Sequence, residues 1–279
     1  MSQGSVRSAA RLTALVAWTA VATAAYAAAK PVSRKLADKV LRGWHRGALR
    51  VAGVRLVVRG APCTAPGTLI VANHISYVDI PVLGAIAGVD FVAKADIAGW
   101  PIMGAIGRMI GTLYVERRPS AAGQARDALA ARLDAGDRLA MFPEGTTTDG
   151  RRVLPFRSAP FAALESAKGE IWVQPVSLRY VALDGLPLDR ERRWQVAWCG
   201  DAELVPHIWQ LFDSGAVVAE VEFHPAFAPA AIDRKTLAAR CHAAVAGGVA
   251  RQAPALWWVA GEAVPSGSAA SGESVLVGS

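Results

Sequence analysis

The sequence predicts an α/β domain with a central, mostly covered sheet flanked by helices. Two observations predict it. More than half of the 279 residues are apolar, 53%, which is enough for one sizeable core. From residue 54 onward, short β-branched runs bounded by Gly and Pro alternate with longer helical segments. Such alternation is typical of a sheet covered by helices.

Residues 1–50 are predicted to form membrane-anchoring helices. The uncharged, Ala-rich run 12–29 reaches the lower limit for a bilayer span of about 17–25 residues. Three interpretations stay open: a span, an interfacial helix or a signal peptide. The last rests on Arg7, Arg11 and the A-x-A pattern at Ala25-Tyr26-Ala27. The Lys and Arg residues at 30–46 oppose export and favour a cytoplasmic location for the domain that follows, at the inner membrane of the cell.

An apolar stripe follows, because Val32, Leu36, Val40 and Trp44 recur every four residues. The basic residues lie mostly off this stripe. A basic amphipathic helix lies in the headgroup region of an anionic membrane, or it packs on the domain's own core. The preceding apolar run favours the membrane. The net charge of +7 then suits anionic lipid, whereas no basic run interleaved with aromatic residues indicates nucleic acid.

The α/β domain is predicted to occupy residues 51–262. Its strands are predicted at 54–58, 68–72, 91–93, 112–115, 139–142 and 171–178. Its helices are predicted at 80–87, 121–135 and 159–167, with a Gly- and Pro-punctuated helical segment between the third and fourth strands. The Ser-, Gly- and Ala-rich tail, 263–279, is predicted to be disordered.

The cysteine and histidine patterns predict neither disulfides nor a metal site. Cys63, Cys199 and Cys241 are far apart and form no CxxC pair, so we interpret them as buried small hydrophobes on the reducing side of the membrane. The five His residues form no H-x-H or H-E-x-x-H set. No metal or other cofactor is therefore expected.

His74 is the first candidate catalytic residue, since it follows a predicted strand and precedes a helix. A neutral imidazole can take a proton near pH 7, and it does so better when a carboxylate holds its other nitrogen. Asp79 is that candidate. Residues five apart cannot share one helical face, so His74 must lie before the helix and fold back over its first turn. Alternatively, Ser76 and Asp79 form a capping box and Asp79 is purely structural.

Three further segments carry candidate binding groups. Residues 141–147, MFPEGTT, end a strand in a turn whose backbone N–H groups, together with Glu144, Gly145 and Thr146, can hold an oxyanion or a phosphate. Arg117 ends another strand, where a guanidinium can clamp a phosphate. The segment Val173-Gln174-Pro175-Val176 is a strand whose internal Pro suggests a sheet edge or a bulge.

These segments, in this order, resemble the blocks of the glycerolipid acyltransferase family, which includes 1-acylglycerol-3-phosphate and lysophospholipid acyltransferases. The H-x4-D, G-x-x-[FY]-[IV]-x-R, FPEGT and V-x-P-V blocks all have counterparts between residues 68 and 180. The resemblance implies that His74 is the base and Asp79 its partner. It also implies that Arg117, Glu144, Gly145 and Thr146 bind the polar head of the acceptor.

The resemblance implies acyl transfer from acyl-CoA or an acyl carrier protein to a lysolipid in a membrane. The acceptor favoured is 1-acylglycerol-3-phosphate, which gives phosphatidic acid in phospholipid biosynthesis. The alternative is another lysolipid such as lyso-ornithine lipid, because Thr147 stands where the family commonly has a basic residue. Two other classes stay open: a metal-dependent phosphohydrolase that uses His74, Asp79 and Glu144, and a non-catalytic membrane module.

Overall fold

The computed structural model describes residues 3–116, 118–230, 232–251 and 274–277. The strands are β1 (Val54–Arg59), β2 (Thr68–Ala72), β3 (Asp90–Lys94), β4 (Leu113–Val115), β5 (Leu139–Met141), β6 (Trp172–Leu183), β7 (Leu186–Pro187), β8 (Val217–Phe223) and β9 (Ser274–Val277). The α-helices are α1 (Gln3–Ala29), α2 (Arg34–Ala52), α3 (Asp79–Ala87), α4 (Pro101–Met109), α5 (Ala122–Asp134), α6 (Ala162–Ser166), α7 (Leu204–Asp213) and α8 (Arg234–Ala250).

All the described strands form one sheet, in the order β4-β3-β5-β2-β6-β8-β1-β9, with β7 paired to β6. From β4 to β6 the strands run parallel, so their carboxyl ends meet at one edge, where α/β sheets place their sites. β8 is antiparallel to β6 and parallel to β1. The predicted fold class is confirmed.

The sheet is covered on both faces, as the residues of β2 show. Ile70 and Ala72 belong to the core cluster beneath α2 and α3, whereas Leu69 and Val71 belong to the cluster beneath α5 and α8. All four are fully buried. Strands buried on both faces are continuously apolar, which explains why this segment lacks a polar alternation.

Several predicted boundaries differ from those in the structure. The segment 159–167 begins as a 3-10 turn at Ala159–Phe161, and only α6 continues as α-helix. The strand predicted at 171–178 continues to Leu183. The elements β7, α7, β8 and α8 follow the last predicted element.

Pro175 lies inside the sheet, so the edge interpretation of its strand is wrong: β6 pairs with β2 on one side and β8 on the other. The β8 ladder begins one residue later, at the pair Val176 and Phe223. Beside Pro175 only its carbonyl is used, accepting from His224 N–H at 3.1 Å. Proline, which has no N–H, is tolerated there because the β8 ladder has no acceptor opposite that position. The bulge lies elsewhere in the strand, between Tyr180 and Ala182.

The N-terminal helices are joined to the α/β domain. Trp18 Nε1 donates to the Trp44 carbonyl at 3.1 Å, and Trp44 Nε1 donates to Thr19 Oγ1 at 3.1 Å. Trp44 is buried in the core, whereas Val32 and Leu36 on the same stripe are 75% and 45% exposed. The Trp44 end of the stripe therefore packs on the domain's own core, and the membrane interpretation of the exposed residues at its start stays a prediction. A domain boundary at residue 50 would cut through α2, which ends at Ala52.

Within α1, the segment Ser5–Ala29 is long and apolar enough to cross a membrane, with a mean hydropathy of 1.6. A signal sequence would pass the same test, and one such helix is weak evidence of membrane association. At the other end, Ser274–Val277 pairs antiparallel with β1, so these four residues form a strand where a disordered tail was predicted. The rest of 263–279 lies outside the described residues.

Candidate active site

The loop that follows β2 carries His74 to the carboxyl edge of the sheet. Asn73 fixes the direction of this loop. Its Nδ2 donates to the Leu178 carbonyl at 3.0 Å, and its Oδ1 accepts from Leu178 N–H at 2.8 Å. The Asn73 side chain thus continues the pairing of β2 with β6 by one residue, which fixes the position of the backbone just before His74.

His74 and Asp79 come together as the spacing predicts, with His74 before the helix and Asp79 at its first residue. His74 Nδ1 lies 2.8 Å from Asp79 Oδ2. Because a carboxylate oxygen is an acceptor, we assign the proton to Nδ1, which leaves the lone pair of Nε2 free. The imidazole stacks on the Phe142 ring, with centroids 4.0 Å apart, and 20% of the side chain remains exposed.

Asp79 is also a structural carboxylate, so the two interpretations of this residue are compatible. Its Oδ2 accepts from the N–H groups of Ile75 and Ser76 at 2.7 and 3.0 Å. Its Oδ1 accepts from the Tyr180 hydroxyl at 2.7 Å. The side chain is fully buried, and these donors offset the cost of burying a charge. Ser76 Oγ makes no hydrogen bond, so the reciprocal half of a capping box is missing.

His74 opens into a cleft of about 360 Å³. Its wall is largely apolar, with Ile80, Phe91, Ile106 and Ile110 among the lining residues. Hydrocarbon burial is favourable in such a space, by about 0.8 kcal/mol per CH₂ group. The arrangement offers a base with a free nitrogen at the end of a site suited to an alkyl chain.

Glu144 holds the catalytic loop in place. Its Oε1 accepts from His74 N–H at 2.7 Å, and its Oε2 accepts from Leu154 N–H at 2.8 Å. The residue is buried; burial raises the pKa of its carboxyl group, while the two backbone donors oppose the rise. With both oxygens engaged, the structure places Glu144 behind His74, and the contact with an acceptor head implied by the family resemblance has no support in this geometry.

The turn after Glu144 borders the cleft through Gly145, Thr146 and Thr147. Gly145 has a φ of 78°, which favours glycine, and its N–H donates to the Phe142 carbonyl at 3.1 Å. That N–H is therefore engaged and is not free for an oxyanion. Thr146 is exposed at the cleft, where its hydroxyl can contact an acceptor. Arg117 lies outside the described residues, and its predicted role stays a prediction.

Two contacts of the site were not predicted from the sequence. Tyr180, on β6, holds Asp79. Tyr77 lines the cleft, and its hydroxyl lies 3.1 Å from His207 Nδ1. Burial raises the pKa of both tyrosines, so each keeps its proton. The sequence signal for Tyr180 is its even spacing from Val176 and Leu178, since alternate residues of a strand share a face.

In the part of the chain that the structure describes, no three His, Cys, Asp or Glu side chains form a group that could hold a metal ion. A metal-dependent phosphohydrolase would need His74, Asp79 and Glu144 as ligands. In this structure Glu144 instead accepts a hydrogen bond from His74 N–H, and Asp79 binds His74 Nδ1 and the N–H of Ile75. The geometry fits proton transfer by His74 better than metal ligation.

Comparison with known proteins agrees with this chemistry. A family model described as Acyltransferase matches residues 49–179. A lyso-ornithine lipid O-acyltransferase of Brucella abortus (strain 2308) is 39% identical over 215 residues, which cover 72% of this chain and 80% of that protein. A 1-acyl-sn-glycerol-3-phosphate acyltransferase of Neisseria gonorrhoeae is 31% identical over 185 residues, which cover 64% of this chain and 68% of that protein.

A solved structure shares the fold. The 1-acyl-sn-glycerophosphate acyltransferase of Thermotoga maritima matches with a TM-score of 0.61 and 20% identity, over 89% of this chain and 100% of that one. The family resemblance of the sequence motifs is thereby confirmed, and the phosphohydrolase alternative is wrong. The chain belongs to the acyltransferase family, together with these O-acyltransferases of lysolipids.

Proposed function

We propose that this O-acyltransferase acylates the free hydroxyl of lyso-ornithine lipid, with a fatty acyl thioester as donor. The observation that carries the chemistry is the His74 imidazole. Its Nδ1 is held by Asp79 at 2.8 Å, and its Nε2 is open to an apolar cleft. A base held in this way is suited to a hydroxyl acceptor and to a donor with a long alkyl chain.

In the proposed reaction, His74 Nε2 takes the proton of the acceptor hydroxyl while the oxygen attacks the thioester carbonyl. The tetrahedral intermediate collapses to the new ester, and the departing thiolate receives the proton from the imidazolium. Asp79 stabilises that imidazolium. Cys199 lines the cleft, but burial and the charge of Asp149 raise the pKa of its thiol. This argues against a covalent acyl-cysteine.

The acceptor assignment rests on the relatives and on Thr147. Proteins called lyso-ornithine lipid O-acyltransferase include the Brucella relative and one of Rhodobacter capsulatus. The latter is 34% identical over 78% of this chain and 83% of that protein. Thr147 borders the cleft as a neutral hydroxyl. A neutral donor binds a phosphate about half as strongly as a cation does, so Thr147 supports an acceptor without a phosphomonoester.

The second candidate acceptor is 1-acylglycerol-3-phosphate, which would make phosphatidic acid. The Neisseria relative carries that name. Arg117 supports it from the sequence, because a guanidinium at a strand end suits a phosphate. Under this alternative, Arg117→Ala chiefly raises the Michaelis constant for the phosphorylated acceptor.

We further propose that acyl-CoA or an acyl carrier protein supplies the thioester. We place the enzyme at the cytoplasmic face of the inner membrane, where its acceptor resides. The apolar segment Ser5–Ala29 supports membrane association, and the basic residues of α2 support attraction to anionic lipid. No metal or other cofactor takes part in the proposed reaction.

The deciding experiment offers each purified acceptor with one acyl-CoA and then with one acyl carrier protein thioester, and compares kcat/KM. We expect lyso-ornithine lipid to be acylated faster and Arg117→Ala to have little effect on it. Faster acylation of 1-acylglycerol-3-phosphate, with a large loss in Arg117→Ala, would favour the second acceptor and leave the acyltransferase chemistry intact.

A further inference from the structure

A second cavity lies on the other face of the sheet from the cleft. It has a volume of about 210 Å³ and lies between α5 and the carboxyl ends of β3, β4 and β5. Leu129 and Met141, which line it, belong to the core cluster beneath α5 and α8. Phe91 and Ile110, in the wall of the cleft, belong to the cluster beneath α2 and α3. The protein therefore has a cavity on each face of the sheet, beside the same strand ends.

The cavity meets the cleft next to the catalytic histidine. Phe142 and Gly145 border both spaces, and the Phe142 ring stacks on the His74 imidazole with centroids 4.0 Å apart. A molecule that occupies both spaces would therefore have its middle beside Phe142, close to His74. An acyl thioester has the shape for this, because its acyl chain and its carrier arm extend in opposite directions from the reacting carbonyl.

The rim of the cavity carries cations. Arg118, Arg126 and Arg157 border it, and all three residues are exposed to solvent. Two of these charges are compensated, because Glu116 pairs with Arg118 at 2.5 Å and Asp127 pairs with Arg126 at 2.8 Å. The charge of Arg157 is left for an anion from outside the protein.

Arg157 combines a guanidinium without a partner and a fixed backbone. Its side chain forms neither an ion pair nor a hydrogen bond with any residue in the described ranges. Its backbone N–H donates to the Pro143 carbonyl at 3.0 Å, and Pro143 lines the cavity next to Phe142. Arg157 is thus held near the junction of the cavity and the cleft, with its guanidinium accessible. A guanidinium at the rim of an apolar cavity suits a ligand that has a phosphate at one end and an apolar body.

We infer that this cavity binds the phosphopantetheine arm of the acyl donor, with Arg157 on its phosphate. This inference rests on the proposed function, since it needs a thioester donor, and the arm is the group that acyl-CoA and an acyl carrier protein share. The methyl and methylene groups of the arm pack on apolar walls that include Val115, Ala125 and Leu129. The acyl chain extends into the cleft, so the thioester lies at the junction beside Phe142.

Donor analogues test the contact between Arg157 and the phosphate. Initial rates are measured with S-acyl pantetheine, S-acyl phosphopantetheine, acyl-CoA and acyl carrier protein, all with the same acyl chain, and with whichever acceptor the wild-type enzyme uses. Wild-type enzyme should have a KM about tenfold lower for S-acyl phosphopantetheine than for S-acyl pantetheine, as for the gain of a charged hydrogen bond. In Arg157→Ala, KM for each phosphorylated donor should rise about tenfold. KM for S-acyl pantetheine and for the acceptor should stay unchanged, with kcat changed less than about twofold.

Two further variants test the charge and the location. Arg157→Lys keeps the positive charge and should restore part of the preference for the phosphorylated arm, whereas Arg157→Ala should not distinguish the two arms. Arg152→Ala is the matched control, because Arg152 is an exposed arginine of the same segment that does not border the cavity. It should leave every KM unchanged. Full activity of Arg157→Ala with S-acyl pantetheine shows that the variant is folded.

Equal KM values of the wild-type enzyme for S-acyl pantetheine and S-acyl phosphopantetheine would overturn the inference. A higher KM for the acceptor in Arg157→Ala, with unchanged KM for the donors, would overturn it and assign the cavity to the acceptor head. An effect on acyl-CoA alone would overturn it as well, because the contact would then lie with the nucleotide that the carrier protein lacks. Failure of the wild-type enzyme to transfer an acyl group from any of these thioesters would instead overturn the proposed function.

Discussion

Tyr180 donates a hydrogen bond from its hydroxyl to Oδ1 of Asp79 at 2.7 Å, and both side chains are buried. The other carboxylate oxygen serves His74 and two backbone N–H groups. Asp79 is therefore oriented from β6 as well as from its own loop. Burial, together with the nearby Asp79, raises the pKa of Tyr180 well above its ordinary value, so the hydroxyl remains a donor wherever the enzyme works.

Tyr180→Phe should lower kcat about tenfold while leaving both Michaelis constants unchanged. It leaves one oxygen of a buried carboxylate unsatisfied, which costs about 1–3 kcal/mol. The acidic limb of the pH–rate profile should also move to higher pH, because a carboxylate without this donor holds the protonated imidazole more strongly. Steady-state kinetics from pH 5 to 9 measure both effects.

Ser177→Ala is the control for the strand itself. Ser177 is buried on β6 and donates to the Val245 carbonyl at 2.9 Å, away from the site. Its loss should lower the free energy of unfolding without moving the pH profile. If Tyr180→Phe kept full kcat and an unshifted profile, Asp79 would be held by its own loop alone.

His74→Ala should remove nearly all transfer activity and leave the fold intact. General base catalysis contributes about 10²–10⁴ in rate. Asp79→Asn should also be severe, since the neutral amide removes the charge that holds His74 Nδ1–H and stabilises the imidazolium. Labelled acyl transfer and circular dichroism check the two statements. Retention of more than a tenth of wild-type activity in His74→Ala would contradict the assignment of the base.

Glu144→Gln should lower kcat and the midpoint of thermal unfolding together, with little change in KM for the acceptor. The amide nitrogen must oppose the N–H of either His74 or Leu154, which now donate to the two carboxylate oxygens. A direct contact with the head group predicts the reverse pattern, a raised KM with unchanged stability. Thermal scans beside substrate titrations separate the two.

The raised pKa of Asp90 predicts that the stability of the protein depends on pH. Burial raises its pKa from 3.8 to about 6, despite the opposing Arg132. Between these values the folded state holds a proton that the unfolded chain has lost, so stability falls as the pH rises from about 4 to 6. Relative to Asp90→Asn, the free energy of unfolding of the wild type should fall by up to about 3 kcal/mol over this window. Solvent screening reduces that value, because the Asp90 side chain is 27% exposed.

Urea unfolding of both proteins at pH 4.5 and 7.5 measures this difference directly. Asp90→Asn removes the titrating group, so effects of acid on the rest of the chain cancel in the comparison. A stability difference that stays constant across the window would show that Arg132 neutralises the effect of burial.

The exposed cations of α2 should govern binding to anionic membranes. Lys35→Glu together with Lys39→Glu should weaken binding to vesicles that contain anionic lipid at least tenfold, since each cation near the surface contributes about 1 kcal/mol. Lys168→Glu with Lys235→Glu, two exposed cations on the α/β domain, should have little effect. Co-sedimentation at two salt concentrations measures both pairs.

The same preparation tests the signal-peptide interpretation. N-terminal sequencing should find the apolar segment still attached to the enzyme. A mature protein that begins near Lys30 and is exported would contradict membrane anchoring by α1.

The sequence predicts the parallel half of the sheet well, because each of its strands is a short apolar run bounded by Gly, Pro or a polar turn. β2 is predicted to the residue, and the fold-back of His74 onto Asp79 follows from spacing alone. The strand Val217–Phe223 was not predicted. Its acidic residue Glu220 is buried and paired with Arg179 and Arg59, and no local pattern reveals such long-range pairs.

Glu144 shows a second limit of sequence reasoning. A carboxylate in a strand-end turn is the residue type expected at a binding site, and motif similarity places it near the chemistry. Whether it faces the substrate or the backbone depends on the path of the loop to Leu154, which sequence patterns do not encode. Tyr180 was not assigned for the same reason, since its partner lies on a distant segment.

The pairing of β1 with β8 has a consequence for synthesis of the protein. Val54 lies opposite Val217 in the parallel register, so the first strand to be synthesised has no parallel neighbour until one of the last strands has been made. Non-local pairing of this kind slows folding and leaves an apolar edge uncovered. During translation the nascent chain would therefore carry an unfinished sheet behind an apolar helix that has already left the ribosome. Early capture of that helix by the bilayer would confine the unfinished chain to a surface and keep it from other nascent chains in solution.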